Sequence, residues 1–470
     1  MLKLRSLSVT SRMACLIAAV LACAAATTPA AMAGALADGG SIAIRAGRIY
    51  PASPDLPAMI ENGVIVIRDG RIEAIGADID PPADLPLVEY PDASITPGLV
   101  AVSAEVAGEH RGLDSVGAGF WALDAFDRYA DWRPMLASGV TTAHLSPGSN
   151  KLLSGRGAVV RFAAHDDPHA VLLPMSDLTV NLHEGVYNPP SLVEALIPPS
   201  ADNLIEPGRP QRPDSRIGLY VALKDAVESA LSSSDRSLHQ SALASAWTEG
   251  APIRIHADRA ADLLGATTFL QTNDRRGYLV GGAESARIAE RLRDAGYPLV
   301  YGLDASFRAP GNDLGASRDA VERNVRDLAA LDGLKLALTV APGGRAQDLR
   351  LAASTAQRSG MDAHRVLESV TRIPAEILGV DDHVGSLAPG KLADLVLHSG
   401  DPLETRSHVL GVYLSGTPMF RAPNSDAVVV RAGTVWLGPA PSEVASPSPA
   451  PSSGLWAVPA ELAAPSPSRE

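Results

Sequence analysis

The chain has 470 residues, of which 46% are hydrophobic, 20% charged and only 4% aromatic. That length buries a large core and makes more than one structural unit, with Leu, Val, Ile and Ala supplying most of the packing. A net charge of -13 leaves no basic footprint for phosphates and argues against a nucleic-acid partner.

Residues 1–33 read as an export signal. Lys3, Arg5 and Arg12 give a basic start, Met13 to Ala26 is apolar but short for a membrane span, and Ala31-Met32-Ala33 is a small-x-small cleavage site. Both cysteines, Cys15 and Cys23, lie in this segment. Cleavage after Ala33 leaves a cysteine-free mature chain, with no disulfide, thiol nucleophile or Cys-ligated zinc and no transmembrane segment. The expected destination is a bacterial periplasm; Val20-Leu21-Ala22-Cys23 keeps lipoprotein anchoring at Cys23 as the alternative.

Ser41 to Tyr50 reads as a strand, Glu61-Asn62-Gly63 as a turn and Val64 to Ile67 as a strand. Arg68-Asp69-Gly70-Arg71 is a hairpin turn into Ile72 to Ile75, and Leu87 to Tyr90 is another short strand. This β-unit is too small to close a core alone. The missing half lies near the other end, at Leu395 to Leu397, Val409 to Leu414, Val428 to Arg431 and Gly433 to Trp436. Residues 41–96 and 380–437 are therefore expected to form one composite β-sandwich. Residues 438–470, rich in Pro, Ser and Ala, are expected to be a tail.

Between the halves, Pro97-Gly98 leads into an apolar strand ending at Ser103-Ala104-Glu105. Gly119 to Met135 reads as a helix, followed by candidate strands at Gly139 to Leu145, Val159 to Phe162, Val171 to Leu173 and Leu178 to Leu182. Pro198 to Arg216 reads as a long loop, with helices at Leu219 to Leu231 and Ser237 to Trp247. Pro252 to His256, Arg276 to Val280, Tyr297 to Val300 and Leu334 to Val340 are strands. Helices from Asp258, Glu284 to Ala295 and Ala316 to Leu331 alternate with them, and Asp348 to Ser359, Asp362 to Ser369 and Thr371 to Leu378 follow. Alternating strands and helices of this kind predict an α/β class, with residues 97–379 forming a (β/α)8 TIM-like barrel and a doubly wound sheet as the alternative. The Gly-rich stretches Gly148 to Gly157, Gly281-Gly282 and Gly343-Gly344 lack phosphate-loop spacing and read as tight turns. Ser146 and Ser176 have no identifiable base beside them.

Three ordered stretches carry a family resemblance: Arg68-Asp69-Gly70-Arg71-Ile72 with Pro97-Gly98-Leu99; Ile253 to Asp262; and Thr371 to Gly379 running on through Gly385-Ser386-Leu387-Ala388-Pro389-Gly390-Lys391-Leu392-Ala393-Asp394 to Asp401-Pro402-Leu403. Gly139-Val140-Thr141-Thr142 fits between them. Across roughly residues 41 to 437 the chain resembles the amidohydrolase superfamily, in particular its imidazolonepropionase-like branch. The resemblance implies a hydrolase of carbon–nitrogen bonds in which one or two divalent metals, such as zinc, activate water at the barrel mouth. It implies ligands as a His-x-His pair on the first strand, a Lys or Glu on the fourth, His on the fifth and sixth, and Asp on the eighth.

In this chain those positions fall at Ser103 and Glu105, at Thr179, at His256, at Gly281 and at Val340. Only His256 and Glu105 are ligand types, since glycine and valine neither bind zinc nor act as a base. No cofactor or metal is therefore expected, and the first reading is a non-catalytic or strongly divergent protein that binds a small molecule, peptide or partner at the mouth. The alternative is an active hydrolase of amide, lactam or dipeptide bonds with a site rebuilt from Glu105, His183, His256 and Asp258. A third reading is a structural subunit, as a homodimer or paired with an active homologue.

Overall fold

The computed structural model describes residues 40–104, 115–186, 213, 215–303, 318–341, 344–423, 428–431 and 434–437. The segments expected to be an export signal and a tail, Glu105 and most of the Pro-rich stretch 198–216 lie outside these residues.

The chain opens with β1 (Ile42–Ile49), β2 (Ile60–Arg68), β3 (Arg71–Gly76) and β4 (Leu87–Pro97). The β2–β3 hairpin turns on Asp69 and Gly70, at φ of 50° and 76°, as a two-residue turn with left-handed residues requires. The apolar run of β2 is continuous because both faces are covered. Ile65 and Ile67 face a core with Ile42, Ile44, Ile95, Leu395 and Leu397, while Val64 and Val66 pack with Leu85 on the other side. Contrary to the expected turn at Glu61-Asn62-Gly63, β2 runs straight through, and Asn62 absorbs the kink at φ 49°.

The α/β part follows: β5 (Leu99–Ala104), α1 (Arg133–Ala137), β6 (Val140–Leu145), β7 (Leu153–Arg156), β8 (Ala158–Arg161), β9 (Val171–Leu173), β10 (Leu178–Asn181), α2 (Arg216–Ser232) and α3 (Leu238–Thr248). Strands then alternate with helices: β11 (Ile253–Ala257), α4 (Ala260–Thr272), β12 (Gly277–Gly281), α5 (Ala289–Ala295), β13 (Leu299–Leu303), α6 (Arg318–Ala329) and β14 (Leu336–Val340). Three helices, α7 (Leu349–Arg358), α8 (Ala363–Ser369) and α9 (Arg372–Leu378), lead to β15 (Leu395–His398), β16 (Val409–Leu414), β17 (Thr417–Arg421), β18 (Val428–Arg431) and β19 (Thr434–Leu437).

The strands near both chain ends share one nine-stranded sheet, ordered β17-β16-β15-β4-β1-β2-β3, with β18 added along β4 and β19 paired to β18. The strand that joins them is β4. It pairs in parallel with β1 and antiparallel with β15, Leu395 opposite Pro97 and His398 opposite Ser94. The α/β strands form a six-stranded sheet, β14-β13-β12-β11-β10-β7, parallel from β10 to β14, and a four-stranded sheet, β5-β6-β8-β9. The two meet where Thr339 Oγ1 of β14 donates to Val102 O of β5 at 2.5 Å, and isolated bridges at Val116–Leu153 and Trp121–Arg156 tie the segment after β5 to β7. The chain is thus mixed α/β, and the ladders form two sheets in place of one continuous ring. Within the smaller sheet the β5–β6 register shifts between Ala101 and Ala104, around Ser103 at φ 60°.

Three further expectations are corrected. Gly119 to Met135 is not a helix; only a 3-10 turn at Ala122–Ala125 and short α1 form there. Asp127 and Asp131 cap their own turns at Tyr129 and Arg133, and Phe126 stacks on Trp132 at 5.2 Å across the loop. Leu153–Arg156 is strand β7 and not part of a tight turn, because it lies antiparallel to β10. Glu284 to Ala295 breaks at Ile288, φ -131°, into a 3-10 turn and α5. Among the described residues no helix is long and apolar enough to cross a membrane.

Candidate functional site

Strand alternation decides which side chains of β11 share a face: Arg254 and His256 fall on one side, Ile253 and Ile255 on the other. Arg254 is buried, and its Nε and Nη2 donate to Ser103 Oγ at 2.9 and 2.6 Å. Ser103 donates its backbone N–H to His144 Nδ1 at 3.3 Å, and His144 Nε2 donates to Asp177 Oδ2 at 2.6 Å. Asp177 also accepts from Ser176 Oγ at 2.6 Å, Tyr278 OH at 3.2 Å and Thr179 Oγ1 at 3.3 Å. Burial would raise the Asp177 carboxyl, but His144, Ser176 and the Arg254 charge outweigh it and hold it down at about 2. The resulting chain, Arg254–Ser103–His144–Asp177–Tyr278, crosses four strands. Gly157 makes room for it, since a Cβ there would stand 2.5 Å from His144 Nε2.

Beside this network lie the other histidines. The ring of His183 sits 4.6 Å from that of His256. His183 Nε2 donates to Ser149 O at 2.8 Å, and its Nδ1 accepts from Gly185 N–H at 3.1 Å, so both nitrogens are engaged. Burial first, then the neighbouring His256, lowers its pKa to about 4, and the ring is neutral at neutral pH. His256 is buried, and neither ring nitrogen has a hydrogen-bond partner, although Nε2 stands 3.4 Å from Asp258 Oδ2. Burial pushes the Asp258 carboxyl up, but His256 and His183 more than offset it and keep it below the usual carboxylate range. Gly281, at φ 95°, closes on this pair: an added Cβ would meet Asp258 Oδ1 at 2.6 Å and His256 Cδ2 at 2.8 Å.

The structure thus brings together His183, His256 and Asp258, and places Ser103 and Thr179 in the adjoining network. Gly281 flanks the histidine cluster, and Val340 ends β14 with an apolar side chain. Glu105 is outside the described residues. Among the described residues no three His, Cys, Asp or Glu side chains converge closely enough to hold a metal ion. Sequence reasoning missed Arg254 and the His144–Asp177 pair. The alternation of Ile253-Arg254-Ile255-His256 carried the signal for Arg254, whereas no spacing rule links His144 to Asp177.

Residues 223–432 match the model of the amidohydrolase family. An amidohydrolase from Thermotoga maritima MSB8 superposes with a TM-score of 0.68 at 24% identity, covering 81% of this chain and all of its own. A prolidase complexed with N-methylphosphonate-L-proline superposes at 0.50 with 14% identity, over 81% of this chain and all of its own. Amidohydrolase tasK of Hapsidospora irregularis is 35% identical over 78 residues, which span 17% of this chain and 8% of that longer protein. The matched segment is that of the amidohydrolase family, and the fold is similar to that of the Thermotoga maritima amidohydrolase.

Proposed function

We propose that this chain is an exported, strongly divergent amidohydrolase whose strands close as a TIM-like barrel and whose mouth binds a ligand without the family's metal-dependent hydrolysis. The observation that carries this is Arg254. Where the resemblance expects the first metal-binding histidine, Ser103 instead receives two hydrogen bonds from a buried guanidinium. A fixed cation next to Ser103 repels a divalent ion, serine is a poor ligand, and Gly281 and Val340 supply no donor at two further positions. The residues present do not fit the implied metal centre. His183, His256 and Asp258 remain as the polar groups a small molecule or peptide would meet.

The test is metal content and turnover on one preparation purified without chelators. The expected result is substoichiometric zinc, iron and manganese and no turnover of amide, lactam or dipeptide panels above a blank. Stoichiometric metal with turnover that chelators abolish would overturn the proposal. A second reading, hydrolysis of a carbon–nitrogen bond by a rebuilt site, draws on the approach of His256 and Asp258. It predicts turnover that His256→Ala removes and added zinc does not restore.

A further inference from the structure

His398 ends β15, away from the mouth, where the nine-stranded sheet rests on the α/β part. Its ring is buried. Nε2 lies 3.0 Å from Thr96 Oγ1 on β4, and Nδ1 has no partner. Beside it is a cavity of about 10 Å³, room for about one water molecule, lined by Thr96, Leu99, Arg350, Leu367, His398 and Leu403 among others.

No hydrogen bond reaches Nδ1, and the nearby Ser94 hydroxyl is likewise without a partner, so no charged acceptor is bonded to the ring. From β4 come Ser94, its ladder partner, and Thr96; from β16 comes Val409. Helix α7 contributes Arg350 and Ala353, α8 contributes Leu367, and Val370 follows just past its end. In the loop after β15, Asp401 Oδ1 is taken by the Leu403 N–H, and Glu404 presents its backbone carbonyl. The charge that acts on the ring is the Arg350 guanidinium, which carries the same sign as a protonated histidine. Arg350 also fastens that loop to α7, donating to Pro402 O at 3.4 Å and Glu404 O at 3.2 Å, and Ser354 Oγ donates to Leu403 O at 2.6 Å.

We propose that His398 is an acid-sensitive latch between the sheet and the helices: protonating it sets two cations face to face at the junction and releases the loop of residues 399–407 from α7. Burial first and Arg350 second hold the ring neutral, with a pKa of about 3 against an ordinary 6.5. The unfolded or opened chain therefore takes up a proton as pH falls below 6.5, while the closed junction does not until about 3. Closure is favoured above that window and weakens through it.

The experiment follows deuterium uptake of peptides spanning residues 395–407 in the full chain at pH 7 and pH 5, corrected for intrinsic exchange and referenced to Ile253–Ala257. From those two pKa values the closed-to-open ratio of the junction drops roughly 25-fold between pH 7 and pH 5. The reference strand is expected to change less. His398→Gln keeps a partner for Thr96 but cannot be protonated, and is expected to lose most of that drop. Arg350→Gln removes the repelling charge and is expected to shrink it as well, so the test survives if one variant fails to fold. Equal pH responses in the wild type and whichever variants fold, or an uptake change shared equally with Ile253–Ala257, would overturn the latch.

Discussion

Gly281 shows how firmly the histidine cluster constrains its neighbours. It sits at φ 95°, and a Cβ there would stand 2.6 Å from Asp258. Gly281→Ala is therefore expected to cost roughly 2 kcal/mol or more in urea denaturation, because neither the backbone nor the neighbours can yield cheaply. Asp177 gives the pH dependence of the polar network. Its folded pKa is about 2 against an ordinary 3.8, so its stabilisation is complete above 3.8 and is lost as pH falls through about 2. About 2 kcal/mol of stability rests on that difference. Denaturation at pH 7 and pH 2.5 is expected to show Asp177→Asn weaker at pH 7 and less sensitive to acid than the wild type. At this scale the sequence led to the expectation that Ser103, Gly281 and Val340 stand at the family's ligand positions, because each falls at a fixed place in a motif. It did not disclose which groups meet beside Ser103. The carboxylate and imidazole of Asp177 and His144 come from different loops and strand ends, and only tertiary folding brings them within 2.6 Å.

Elements were legible where periodicity and local hydrogen bonding agreed. Helix α3 is one: Ser237 accepts from Gln240 N–H at 3.3 Å while the Gln240 side chain accepts from Ser237 N–H at 2.9 Å, a reciprocal cap. Ser237→Ala is expected to cost about 1 kcal/mol, read as a shift in the thermal midpoint. Elements were illegible where long-range pairing overrode local signals. Leu153–Arg156 contains a glycine and follows a glycine-bearing loop, yet Asn181 on β10 anchors that loop through Lys151 O at 2.7 Å and Ser154 Oγ at 3.0 Å, and the segment becomes β7. Between Gly119 and Met135 the apolar spacing suited a helix, but aspartate-capped turns and an aromatic stack offered a better use of the same residues.

At the scale of the whole molecule, the motif Gly390-Lys391-Leu392-Ala393-Asp394 acquires a physical reason. Asp394 receives a bidentate pair from the buried Arg161 of β8, at 2.7 and 2.5 Å, and also the Ser415 N–H at 3.0 Å. Arg161 in turn reaches Asp167 and Ser415. The ion pair thus rivets the nine-stranded sheet to the α/β part. Arg161→Met leaves the Asp394 carboxylate buried without its cation and is expected to cost about 3–5 kcal/mol, whereas Asp394→Asn is expected to cost less because Asp167 still pairs with the guanidinium. A double-mutant cycle in guanidinium should return a strong coupling; additive losses would mean that the two residues act independently.

The position of β4 between β1 and β15 also fixes an order of events in time. Strand β4 is complete at Pro97, but its antiparallel partner begins at Leu395, and the loop between them must close before that edge is covered. Closing so long a loop costs entropy that no local contact repays, so the pairing comes late and leaves an open strand edge in the interim. In refolding from denaturant, protection of β4 amides is expected to trail that of β2 and β3, whose hairpin needs only a two-residue turn. Simultaneous protection would show that the chain ends find each other first. Until β15 arrives, the emerging chain carries an edge that a chaperone must shield or a second copy can capture.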